Sequence, residues 1–526
     1  MNYIFTNGCL VDPSTERFQN VSLLTEAGRI SQIGSMEECR LKSKEAYEVI
    51  DLRGKMLLPA FTDTHTHFVE HAKSNILLNL LSCNSIEDIW RNLANYRDQL
   101  SWNAKWILGG GWDRNKLHNP NELNRYVLDK IFPDIPVALM SKDYHSRLCN
   151  SLALQIAGID STTKDPYGGK VERFSSGKPS GVLFETASEI MDKYIVPADD
   201  AQIVQAIRGS VSQIYKLGLV GFHTMESANS RNLLLAALSQ GQRFRLVWHF
   251  PIDELDNVSR EGIKSYEADE LYTIGGMKIF GDGSLGSMTA AMFQAYPSDK
   301  ENFGILRYSN DELLSLMTAA ATKGYSCSIH AIGNRCVRQV IDTTLKLRSD
   351  SQYAKLFQRI EHLQSIRNQD IPALKESALF ASVQPVHLAN DVPLIDKHWN
   401  SIEDQVYSFS TLLKAGIPLS FGSDTPIETI NPFLGIYTAI ERRMQLNPAL
   451  PPFRSSEVLT PFQALHGYTL GAAAASRSEH LQGSLTLGKR ADLIVIDDFR
   501  NHDSSFWLNA QSWLTMINGE IVYSNL

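Results

Sequence analysis

The chain is expected to fold as an α/β protein of the (β/α)8 class, with a small β-domain assembled from both termini and a long insertion after the first barrel strand. Three observations predict it. Eight apolar β-type runs alternate with helical stretches, at 61–68, 218–225, 243–250, 275–281, 325–331, 358–363, 379–385 and 417–424, and strands separated by helices read as parallel sheet. Short alternating segments with tight-turn residues occupy both chain ends. Residues of metal-ligand type close several of the eight runs, at the rim where such barrels carry their active sites.

Residues 1–58 hold alternating runs such as Val21-Ser22-Leu23-Leu24 and Arg29-Ile30-Ser31-Gln32-Ile33, punctuated by Gly8, Asp12-Pro13, Gly28 and Gly34. This is antiparallel sheet material. The stretch 479–526 looks the same, through Ala491-Asp492-Leu493-Ile494-Val495-Ile496 and the run 513–523. The two ends are expected to pair into one β-sandwich around a barrel spanning 59–478. Between the first two runs, about 70–215 is too long for one helix. It contains strand-like Trp106-Ile107-Leu108 and Pro136-Val137-Ala138-Leu139-Met140, and it is expected to pack over the barrel's catalytic face and shape a pocket.

Composition narrows the function classes. The net charge is −8 and the 50 basic residues are spread along the chain, so no basic stripe for nucleic acid exists. No window of 18 or more apolar residues suggests a membrane span. Six cysteines without Cys-x-x-Cys spacing read as reduced, buried thiols, and with no leader-like start the expected compartment is the cytoplasm. The expected partner is a small-molecule substrate, with a homo-oligomer left open.

The chemistry begins in Pro59-Ala60-Phe61-Thr62-Asp63-Thr64-His65-Thr66-His67. Two residues apart on a strand, His65 and His67 share a face and can grip one ion. With 14 histidines, chance gives roughly 0.4 such pairs per chain, so the motif gains weight only from further ligand-type residues along the chain. Lys278 lies near the end of the fourth run, His330 closes the fifth, His362 the sixth and Asp424 the eighth. A histidine on a strand is more often structural than ligating, and an Asp before Thr-Pro more often caps a turn. Four histidines and an aspartate at the ends of separate strands are hard to explain one by one. Asp143-Tyr144-His145, Gln384, His387 and Trp112 are candidate substrate contacts, with His145 equally readable as a structural residue. His223 is a candidate supporting residue, and Glu361 is expected to face away from His362 as packing support.

This set resembles the amidohydrolase superfamily, and more closely the branch containing N-substituted formamide deformylase. The matching stretches are Gly110-Gly111-Trp112-Asp113, 150–159, 278–287, His330-Ala331-Ile332-Gly333-Asn334, Gly422-Ser423-Asp424-Thr425-Pro426 and 488–493, which cover essentially the whole chain. Met288 and Asn334 depart from the branch, where Arg and Asp are usual. The resemblance implies a TIM-like barrel with a composite sandwich and a metal centre on His65, His67, Lys278, His330, His362 and Asp424. It implies one or two divalent ions per chain, zinc first among them, with a carbamate on Lys278 bridging two. Hydroxide made available at the metal would attack a carbonyl while Asp424 moves the proton to the leaving amine. The expected enzyme is a hydrolase of non-peptide carbon–nitrogen bonds in a small amide, formamide or cyclic amide. A heterocycle deaminase is the alternative, disfavoured by Lys278. An inactive barrel kept as a binding module is a further one, disfavoured by the complete ligand set.

Overall fold

The computed structural model describes residues 1–99, 105–195, 199–239, 241–267 and 271–526. Its centre is one sheet of eight parallel strands: β1 (Phe61–Thr66), β2 (Leu219–Met225), β3 (Arg245–Pro251), β4 (Tyr272–Phe280), β5 (Cys327–Ala331), β6 (Arg359–His362), β7 (Phe380–Val383) and β8 (Leu419–Phe421). Each strand falls on one of the eight apolar runs. Such strands are buried on both faces, so they read as apolar stretches bounded by turns. The sheet returns on itself where Asp424 N–H donates to the His65 carbonyl at 2.7 Å and His67 N–H to the Thr425 carbonyl at 2.8 Å. Gly422 is required at this seam, because a Cβ there would stand 2.6 Å from the His65 nitrogen. The Asp63 carboxylate reinforces it, accepting from the backbone N–H groups of His65 and Ser423. The closing bonds thus place His65 and Asp424 side by side.

Both chain ends feed a six-stranded sheet, in the order Glu520–Ser524, Leu514–Ile517, Leu493–Ile496, Met56–Pro59, Cys9–Asp12 and Arg17–Gln19. A four-stranded sheet from residues 2–51 shares one apolar cluster with it, including Phe5, Leu23, Leu57, Leu493 and Met516. Asp492 connects these sheets to the barrel: its carboxylate takes two bonds, 2.5 and 2.8 Å, from the guanidinium of Arg245 at the start of β3, and both residues are buried. Removing one partner of a buried ion pair leaves the other uncompensated. Asp492→Ala is therefore expected to cost about 3–5 kcal/mol in urea unfolding; a loss below about 1 kcal/mol would show the pair to be dispensable.

The segment between β1 and β2 carries a third sheet, ordered Gly169–Arg173, Pro179–Glu185, Ser146–Cys149, Val137–Ser141, Ile107–Trp112 and Leu78–Asn79, with its own core around Leu93, Leu128 and Leu139. Its loops meet the barrel rim through Asp143, which accepts from the hydroxyls of Ser284 and Ser287, and through a Lys142–Glu428 ion pair at 2.7 Å. The segment over the rim is shorter than 70–215. The helix Asp200–Ile214 places Ile203, Ile207, Val211 and Ile214 in the barrel's own apolar cluster. All six cysteines are free and buried. Among the described residues, no helix is long and apolar enough to cross a membrane.

Candidate metal centre

At the C-terminal ends of the barrel strands the structure gathers His65, His67, Lys278, His330, His362 and Asp424, joined by His387 from the turn after β7. His65 Nε2 and His67 Nε2 lie 3.4 and 3.3 Å from Asp424 Oδ1, and His387 Nε2 lies 3.4 Å from Asp424 Oδ2. Lys278 Nζ is 3.2 Å from His65 Nε2, and the His330 and His362 rings have centroids 4.4 Å apart. Two sets of three donors lie within 4.8 Å of one another: His65, His67 and Asp424, and His362, His387 and Asp424. His387, expected as a substrate contact, thus stands among the ligand-type groups. His330 is next to His362 but outside both sets.

Each of the four strand-end histidines has one ring nitrogen committed to a protein acceptor. His65 Nδ1 donates to Glu361 Oε2 at 2.7 Å, His67 Nδ1 to the Met225 carbonyl at 3.0 Å, His330 Nε2 to the Gly283 carbonyl at 3.1 Å, and His362 Nδ1 to Gln384 Oε1 at 2.8 Å. A carbonyl or carboxylate oxygen can only accept, so these bonds fix the tautomers and leave each opposite nitrogen with its lone pair. Burial favours the neutral ring in three of them: it pulls His65 down to about 4 and both His330 and His362 well below the ordinary histidine value. Burial opposes ionisation of Asp424, but His65, His387 and His67 hold its carboxyl well below the usual range. Its Oδ1 is buried without a hydrogen-bond donor, as is His387 Nε2. Imidazole nitrogens and one carboxylate with an undonated buried oxygen form a donor set that fits a divalent cation.

Two of these ligand-type residues have strained backbones. His362 has φ 72° and Asp424 φ 60°, in the left-handed region where side-chain-bearing residues are uncommon. Such strain persists where the surrounding structure over-determines it, commonly at functional sites. His362 also corrects the expectation for Glu361. Strict alternation would put Glu361 on the face opposite His362, but the backbone turn at His362 breaks the alternation at that step. Arg359 and Glu361 both point into the barrel, and the Glu361 carboxylate orients His65 rather than serving as packing support. Burial resists its charge, yet Arg359 Nε at 2.9 Å and His65 hold its carboxyl well below the normal range. Arg359 Nη1 also donates to His223 Nδ1 at 2.7 Å, so His223 supports Glu361 from one step further away. The signal in the sequence is the spacing of Arg359 and Glu361 on one strand face.

Because Glu361 fixes the tautomer of a ligand-type histidine, Glu361→Gln is expected to weaken divalent-ion affinity roughly 10- to 100-fold. Competition with a chromogenic chelator measures this directly, and unchanged affinity would remove Glu361 from the site.

Above these groups lies a cavity of about 720 Å³, roofed by the inserted sheet. His145 borders it, with its ring centroid 5.1 Å from that of His330 and its Nδ1 3.1 Å from both Glu185 carboxylate oxygens. Burial pulls His145 down, but Glu185 outweighs it and carries the imidazole up to about 9. Gly283 is needed beside this pair, since a Cβ would come within 2.3 Å of Glu185 Oε1. Gln384 reaches the site through His362. Trp112 borders the cavity but is 1% exposed, and its indole N–H is spent on the Leu139 carbonyl at 2.8 Å. Of the two departing positions, Met288 lines the cavity, whereas Asn334 accepts from the Phe293 N–H at 3.1 Å.

Comparison with known proteins gives concordant matches. The family model described as amidohydrolase family matches residues 48–523. The protein YtcJ of Bacillus subtilis is 30% identical over 539 residues, covering 99% of each chain. The N-substituted formamide deformylase of Arthrobacter pascens is 27% identical over 493 residues, covering 90% of each. Among solved structures, an uncharacterized metal-dependent hydrolase from Pyrococcus horikoshii superposes with a TM-score of 0.76 at 24% identity, covering 96% of this chain and 98% of that one, a likeness of fold.

Proposed function

This chain belongs to the amidohydrolase family, and from that premise we propose that it hydrolyses non-peptide carbon–nitrogen bonds in a small amide, N-substituted formamide or cyclic amide with the help of divalent metal. The observation that carries the proposal is the position of Asp424. One carboxylate oxygen faces His65 and His67, the other faces His387, and the residue lines the floor of the large cavity. The name of the Arthrobacter pascens relative supports the amide reading.

His65, His67, His330, His362, Asp424 and Lys278 would hold the metal, with zinc the ion we propose. When bound, such ions polarise a carbonyl and lower the pKa of water from ~15.7 toward ~7. The protein's own groups do the rest. Asp424, ionised at neutral pH, takes the proton of the attacking water and returns it to the departing nitrogen. The amide and one water become a carboxylic acid and an amine. Glu361 and Gln384 keep His65 and His362 in their tautomers throughout. His145, cationic at neutral pH and beside His330, is suited to the acyl side of the substrate.

A screen of N-formyl amines, acylamino acids and cyclic amides against the metal-loaded protein tests the reading. Release of amine from at least one class is expected; inertness toward all three, with metal bound, would overturn it.

A further inference from the structure

One buried carboxylate at the cavity wall belongs neither to the metal centre nor to the proton path. Glu185, 3% exposed, ends the strand Pro179–Glu185 of the inserted sheet and borders the large cavity. Its φ of 49° with ψ −128° is a conformation that glycine adopts freely and side-chain-bearing residues rarely do. Strain of this kind persists where the surroundings over-determine it. At Glu185 the over-determining partner is His145. The Glu185 backbone N–H donates to the His145 carbonyl at 3.0 Å, and His145 Nδ1 lies 3.1 Å from each Glu185 carboxylate oxygen. Glu185 therefore holds His145 by backbone and by side chain at once.

The carboxylate and the imidazole are each fixed from further sides. Arg307 stands behind Glu185, with Nη1 4.0 Å from Oε2 while its Nη2 pairs with Glu189 at 2.6 Å. The His145 backbone N–H donates to Asp143 Oδ1 at 3.2 Å, and the Phe280 ring meets the imidazole edge-on at a centroid distance of 6.4 Å. With Nδ1 spent on Glu185, Nε2 has no acceptor among the described residues and is the ring nitrogen left to face the cavity that His145 lines.

The direction of this pair relative to Asp424 is specific. The His145 and His330 ring centroids are 5.1 Å apart, those of His330 and His362 are 4.4 Å apart, and His362 Nδ1 lies 4.0 Å from Asp424 Oδ2. His145 and Asp424 stand at opposite ends of this row. An amide whose nitrogen faces Asp424 presents its carbonyl side to His145.

We propose that Glu185 is a positioning residue: by holding Nδ1 it aims His145 Nε2 at the acyl oxygen of the substrate. The proposal rests on the hydrolase reading above and deepens it by naming the pair that serves the acyl side. As water adds to the carbonyl carbon, the π pair of the carbonyl moves onto oxygen, and the hydrogen bond from Nε2 stabilises the charge gathering there. The double bond then reforms, the carbon–nitrogen pair leaves with nitrogen, and Asp424 supplies the proton. Glu185 and His145 gain and lose none. A donor fixed in advance needs no reorganisation as the charge develops.

The test is a double-mutant cycle of His145→Ala and Glu185→Ala in the metal-loaded protein, with N-butylformamide, N-acetylalanine and dihydrouracil as substrates. His145→Ala should lower kcat about 10²-fold and Glu185→Ala roughly tenfold or more, with KM within about threefold of the wild type. Because Glu185 acts through His145, the double variant should lose no more than His145→Ala alone. Metal content should stay at the wild-type level throughout. Glu185→Gln matches the carboxylate in size and still offers an oxygen to Nδ1, so it should lose less than Glu185→Ala, and it carries the cycle if the alanine variant fails to fold. Losses that multiply in the double variant, undiminished kcat in Glu185→Ala, equal losses in the two Glu185 variants, or metal lost with Glu185 would each overturn the assignment. Calorimetric titration of acetate, the acid half of an acetamide, reads the pair without turnover. If none of the three amides is cleaved, acetate bound more weakly by both single variants and no more weakly by the double one means that the reaction is misassigned and the pair is not; equal affinities would overturn the pair as well.

Discussion

Asp424→Asn is expected to lower kcat/KM by about 10³-fold or more while leaving the melting temperature near that of the wild type. The substitution keeps shape and removes charge, so what is lost is the ability to take and return a proton and to offer an ionised oxygen beside His65 and His67. The fold should tolerate it for a particular reason. Asp424 sits at φ 60°, a conformation that asparagine adopts more readily than most residues. The barrel seam runs through its backbone N–H and not its side chain. Steady-state kinetics with a thermal melt distinguish the outcomes: undiminished turnover would remove Asp424 as the proton carrier, and loss of folding would make the kinetic comparison uninformative, in which case Asp424→Ser offers a smaller, uncharged replacement.

Lys278→Met is the second large effect. Lys278 is 3% exposed, inside a barrel wall, and burial brings its ammonium down to about 8 despite the opposing pull of Glu361 and Asp424. An amine so near neutrality can add carbon dioxide and release a proton to solvent, giving a carbamate that would offer carboxylate-type oxygens to divalent metal, which a fully protonated surface ammonium does far less readily at pH 7. Methionine matches the length and apolar stem but cannot carry the modification. The expected result is a loss of about 10³-fold in kcat/KM together with a lower metal content per chain. Wild-type metal content and activity in the variant would rule out a bridging role.

Much of this arrangement is legible in the residues. The eight strands can be found because each is an apolar run bounded by turn residues, and the ligand-type groups because they close those runs. Glu361 escapes such reading because period-two alternation assumes an extended backbone, and His362 abandons it at φ 72°. The role of His387 depends on how the turn after β7 faces Asp424, which spacing does not encode. The insertion ends earlier than its length suggests because Asp200–Ile214 reads as amphipathic helix whichever core it packs against. Trp112 carries a motif-like neighbourhood, yet its indole serves the inserted sheet.

The central claim is that the strand ends hold divalent metal. Elemental analysis of protein purified without chelator and supplied with bicarbonate measures it most directly. About two divalent ions per chain are predicted, falling toward zero in a His65→Ala, His67→Ala, Asp424→Asn variant. A wild-type chain that carries no bound metal under these conditions and still hydrolyses amides would contradict the account.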